Sequence, residues 1–272
     1  MNVLSSQNKT YDLNFRSGLS KTMINEFSSS TLEKTNNYFA KNRIDTDFKQ
    51  NKAIAFCCAK AVESLLLINK KFGTKFLLPN KIIVEDFTKL KGNLDDSWGI
   101  CNLLPTKLYK YSDTIIPERT VFFNSNKMTQ NDKKLLEYMN DVAEFQKSRN
   151  LESSNHFLIK FTHELAHSSH EANLLNQYSV NKIPQLLNKA FKATEHQNKF
   201  KNLFEERICN STGANPLEVI AFDLSKVLLN PSVETLKPYK GLNLFSRFIL
   251  KNHKENNLSV ILKKYWNGIF EC

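Results

Sequence analysis

The chain has 272 residues, 41% hydrophobic and 24% charged, a globular composition that excludes a disordered tail. Its densest apolar stretch, Ala53 to Ile68, is interrupted by Lys60 and Glu63, which excludes a transmembrane helix of about 18 or more apolar residues. The formal net charge of +11 suits nucleic acid or anionic lipid electrostatically, but no nucleic-acid-binding motif accompanies it, so nucleic acid is not the expected partner.

Residues 1–28 are polar, without a sustained period and without an apolar run behind a basic start; they read as a mobile leader, not a removable secretion signal, with export by another route left open. Residues 29–272 are expected to form a single domain, with N-terminal helices over 29–78, a core over 79–232 and basic C-terminal helices over 233–272. Ser30-Thr31-Leu32-Glu33 has the spacing of a capping box, which places a helix start near Ser30. A long helix is predicted from about Thr46 to Phe72, with Gly73 placed to end it. Two runs, Ile82 to Val84 and Thr120 to Asn124, are β-branched or aromatic and form the only strand region predicted.

A helix follows from about Thr129 to Ser148, then a polar break over 150–155, then the segment HFLIKFTHELAHSSHEANLL beginning at His156. Further helical segments are predicted near 183–208, 216–229 and 243–267. Only 7 Gly and 7 Pro leave too few turn residues for an all-β sandwich or barrel, so the expected class is α+β, predominantly helical, with a small sheet. Five cysteines, two of them adjacent at Cys57 and Cys58 in a helical pattern and none in CxxC spacing, read as reduced thiols and point to the cytoplasm.

The chemistry lies in His163-Glu164-Leu165-Ala166-His167, which matches HExxH. Two imidazoles four residues apart face one side of a helix and can share one Zn²⁺. Glu164 is rotated by about 100° from His163, away from the metal position but within reach of a water beside it, the place of a general base. Phe157, Leu158, Phe161, Leu165 and Ala166 give the helix an apolar side to bury. His156, His163, His167 and His170 fall near one stripe, so the alternative is a partly exposed helix whose histidines are surface polar groups. Ser168 and Ser169 follow His167, where the extended zinc-peptidase pattern prefers an apolar residue at the second place.

A catalytic zinc takes three protein ligands and leaves a fourth place for water, so a third ligand has to come from elsewhere. The metzincin pattern would put Gly at 170 and His at 173, where this chain has His170 and Asn173. Cys101, in WGICNLL, lacks the flanking residues that accompany the ligand cysteine of peptide deformylase. Acidic candidates downstream are Glu205, Glu206, Glu218 and Asp223. Glu218 lies in NPLEVIAFDLSKVL with Ala221 one turn later, small enough to let two helices approach closely; it also fits the third position of a helix capped by Asn215.

On HELAH and LEVIA, roughly over residues 120–230, the chain resembles the gluzincin class of zinc metallopeptidases, in particular compact bacterial members with a Glu-x-x-Ala helix. The resemblance implies a zincin-like core, zinc held by His163, His167 and Glu218, Glu164 as catalytic base, and a peptide or protein as substrate. It also implies an edge strand beside the active helix, for which Thr120 to Asn124 is the candidate, and an oxyanion donor, for which Tyr178, His196 and Tyr239 are conceivable. The competing expectation is a non-catalytic metal-binding or basic interaction protein.

Overall fold

In the computed structural model, residues 19–72, 76–128, 133–148 and 156–177 are described, together with Ala221, Ser225, Leu228 and Leu229. Helical structure starts earlier than the sequence suggested. Helix α1, Lys21–Ser29, is capped by Ser20, whose hydroxyl accepts from the Met23 amide at 3.1 Å, and it buries Phe27 against Phe56 with ring centroids 5.4 Å apart. Residues 21–28 of the expected leader are therefore part of the packed structure. Helix α2, Leu32–Lys41, is capped by Thr31, not Ser30: the Thr31 hydroxyl accepts from Lys34 at 3.1 Å, while Ser30 closes the end of α1.

The helix expected from Thr46 begins six residues later. Asp45–Asp47 is a strand, β1, whose backbone pairs with the next strand, so those residues are not free to be helical. Lys49 (φ 45) and Gln50 (φ 64) then turn the chain through left-handed conformations, and helix α3 runs over Lys52–Phe72. Asn51 caps it, its side-chain oxygen accepting from the Ile54 amide at 2.9 Å.

The remaining strands are β2 (Lys81–Glu85), β3 (Gly99–Asn102) and β4 (Thr120–Asn124), and the sheet order is β1-β2-β4-β3. The pairs β1–β2 and β2–β4 are parallel, and β3 runs antiparallel to β4. Both predicted strands exist, but Thr120 to Asn124 is not an edge. It is paired on both sides and buried throughout, and among the described residues the outer strand on that side is β3.

Side chains of β4 alternate as a strand demands: Val121 and Phe123 join the main core, and Phe122 joins a smaller cluster on the other face with Ile83, Phe87, Leu90 and Ile116. The main core lies between the sheet and the helices, including α4 (Lys133–Ser148) and α5 (Ile159–Gln177). Five helices and a four-stranded mixed sheet make an α+β architecture among the described residues. No helix among them is long and apolar enough to cross a membrane.

Candidate functional site

Helix α5 is anchored before it carries anything. His156 precedes it, and its Nδ1 accepts from the Leu158 amide at 3.1 Å while its carbonyl accepts from the Ile159 amide at 2.9 Å. Burial drives the His156 imidazole pKa down to about 4, so it stays neutral and keeps Nδ1 as an acceptor. Next in the helix, Phe161 packs on Phe123 of β4 with ring centroids 4.9 Å apart, and Leu165 and Ala166 are buried. That apolar face fixes the rotation of α5 against the sheet and with it the direction of the three residues of interest.

His163 and His167 lie together, their Nε2 atoms 3.1 Å apart and their rings 84° from coplanar. Two imidazole nitrogens each about 2.0–2.1 Å from a tetrahedral zinc stand about 3.3 Å apart, so the pair fits a shared ion. The separation equally accommodates a hydrogen bond between the rings. His163, Glu164 and His167 are each 8% exposed, which is not the surface-histidine arrangement. Ser168 and Ser169 are fully buried, and their hydroxyls have no hydrogen-bond partner among the described residues.

Glu164 faces β3. A Cβ placed on Gly99 would stand 2.6 Å from Glu164 Cγ, 2.8 Å from Cδ and 3.0 Å from Oε1. The carboxylate thus lies directly on β3, the outermost of the described strands. Sequence reasoning passed over this strand, although WGICN carries a signal: a glycine inside a short apolar run marks a close approach of something to the backbone.

Of the histidines on the predicted stripe, His163 and His167 come together, whereas His156 serves the turn into α5 and the His170 side chain lies outside the described residues. Glu218, Glu205, Glu206, Asp223, Tyr178, His196 and Tyr239 also lie outside them. Among the described residues no group of three His, Cys, Asp or Glu side chains converges on a metal position. Ala221, Ser225, Leu228 and Leu229 are helical and buried, and Leu229 belongs to the same core cluster as Phe161 and Leu165. No family model, curated protein or solved structure matches the chain.

Proposed function

We propose that the protein is a zinc-dependent peptidase of zincin type, with Glu164 as general base and His163 and His167 as two of the metal ligands. The observation that carries this reading is the pairing of the two Nε2 atoms 3.1 Å apart with a carboxylate on the adjacent residue, laid against a half-buried edge strand. Zinc at this place would polarise the scissile carbonyl and acidify water. Glu164 takes the proton from the attacking water and returns it to the leaving amine.

The third ligand in this reading is Glu218. In the sequence it precedes Ala221 and Ser225, both buried helical positions, by three and seven residues; Glu218 itself lies outside the described residues. Glu205, Glu206 and Asp223 are the alternatives. Extended substrate would pair with the outer side of β3. The Asn124 amide donates to the Trp98 carbonyl at 2.9 Å, and the register pairs Gly99 with Phe123. Hydrogen-bonded and open positions alternate in an antiparallel pair, so the backbone groups of Gly99 point away from β4, the direction in which a substrate strand would add. Buried Cys57 and Cys58 are free thiols, consistent with a reducing compartment such as the cytoplasm.

The second reading, a metal-binding or interaction protein without turnover, is favoured by the ability of the two rings to hydrogen-bond to each other without an ion. Metal analysis and peptide hydrolysis separate the two. The parent chain should bind one zinc per chain and lose activity to a chelator, and His163→Ala and His167→Ala should lose the metal. Glu164→Gln should keep the zinc and lose about 10²–10⁴-fold in kcat. Full zinc retention by Glu218→Ala would move the third ligand to one of its alternatives, and a zinc-loaded parent that cleaves nothing in a broad peptide library would leave the second reading.

A further inference from the structure

We propose that Gly99 is a positioning residue for Glu164, and that the missing side chain on β3 is what seats the catalytic carboxylate beside the backbone to which substrate pairs. This rests on the peptidase reading above. Glycine is costly inside a strand, because it gives up more backbone freedom on folding than other residues and contributes nothing to pack. Backbone conformation does not explain it here: Gly92 has a positive φ of 91°, whereas Gly99 is an ordinary strand residue. Space does explain it.

The position where a Cβ would project is filled by Glu164, with Cγ at 2.6 Å and Cδ at 2.8 Å, closer than carbon atoms tolerate. Any side chain at 99 therefore has to swing the Glu164 side chain out of its present rotamer. The two imidazoles belong to other positions on α5 and are not in that contact. Gly99 also turns its own N–H and C=O away from β4, by the alternation that begins at the Asn124–Trp98 bond. One residue thereby fixes two things: where the base sits and where the substrate backbone lies relative to it. A peptide paired at Gly99 would meet the carboxylate with no side chain from position 99 between them. A shift of the base by about 1 Å costs about a hundredfold in rate.

The test uses the full chain and four forms: parent, Gly99→Ala, Glu164→Ala and the double variant. Each is measured for bound zinc, thermal midpoint and steady-state hydrolysis of an unstructured peptide library. Gly99→Ala should keep the parent zinc content and lose about a hundredfold in kcat with KM within about threefold. It should lower the thermal midpoint in the parent but not in the Glu164→Ala background, where the colliding atoms are gone. If Gly99→Ala alone does not fold, recovery of a folded, zinc-binding double variant carries the same conclusion. An active parent whose Gly99→Ala variant keeps its kcat, or equal midpoint losses in both backgrounds, overturns the positioning role alone. A parent that binds no zinc and cleaves nothing overturns the peptidase reading and this role together.

Discussion

His156 and His163 are seven residues apart and of one type, yet burial and partners give them different tasks. His156 spends its Nδ1 lone pair on the Leu158 amide and is kept neutral by burial, with a pKa lowered from 6.5 to about 4. Protonating it costs the acceptor and puts a charge in an apolar site. The sign follows. Well above pH 6.5 the residue is neutral folded and unfolded and contributes no pH dependence; as pH falls through 6.5 towards 4 the unfolded chain takes up a proton that the folded chain refuses, so stability drops. The size is about 1.5 kcal/mol between pH 6.5 and about pH 5. Glu85 does not interfere in that window. Burial pushes its carboxyl up, but hydrogen bonds from Lys49, the Asp86 amide and Tyr109 with the Lys49 charge outweigh it, and its pKa falls below the ordinary 4.5. Its contribution is complete above 4.5 and is lost only as pH drops through the lowered value. His156→Asn keeps a side-chain acceptor but cannot titrate. Urea unfolding at pH 6.5 and about pH 5 should show the parent losing stability and the variant losing about 1.5 kcal/mol less of it; equal losses in both would remove His156 as the acid-sensitive group.

At the scale of elements, the contact that matters most for the site is the one between Phe161 on α5 and Phe123 on β4, with both side chains essentially fully buried. It sets the azimuth of α5, and the two histidines and Glu164 inherit it. Phe161→Ala should destabilise the protein by about 3–5 kcal/mol and Phe161→Leu by clearly less, read from urea midpoints, because a cavity adds to the lost transfer energy. A loss below about 1 kcal/mol for the alanine variant would mean that α5 is held elsewhere. The elements flanking this contact were legible in the sequence: KIIVE and TVFFN are β-branched and aromatic, and α4 and α5 carry apolar residues at helical spacing. The strands at the two rims were not. Asp-Thr-Asp of β1 has no apolar residue to alternate, and β3 contains a glycine and is only half-buried, so both are strands by virtue of what they pair with. The same dependence on partners displaced the edge-strand assignment from β4 to β3, since periodicity along one run does not reveal how many neighbours it has.

For the whole molecule, the histidine pair was legible because i and i+4 on a helix is a local relation, whereas the meeting of Glu164 with Gly99 is a relation between segments 65 residues apart that no local pattern encodes. The centre of this packing is α3, whose Ala53, Ile54, Ala55, Cys57, Cys58, Ala61 and Val62 are all buried in the main core. Cys57 and Cys58 can therefore report on the cooperative unit as a whole. Both are free thiols, 0% and 1% exposed, and burial raises both pKa values well above the ordinary thiol range, so neither access nor thiolate is available in the folded chain. With Cys101, Cys209 and Cys272 replaced by Ser, a thiol reagent at neutral pH should modify the folded protein at least about 10³-fold more slowly than it modifies a free thiol, and should find two thiols at once in denaturant. Labelling should accelerate with urea along the same slope as global unfolding, because α3 contacts α2, α4 and α5 and cannot open while they stay packed. A slope much shallower than the global one would mean that α3 opens by itself. Failure to find two reactive thiols after unfolding without reductant would mean that the adjacent cysteines had been oxidised, against the proposed reducing compartment.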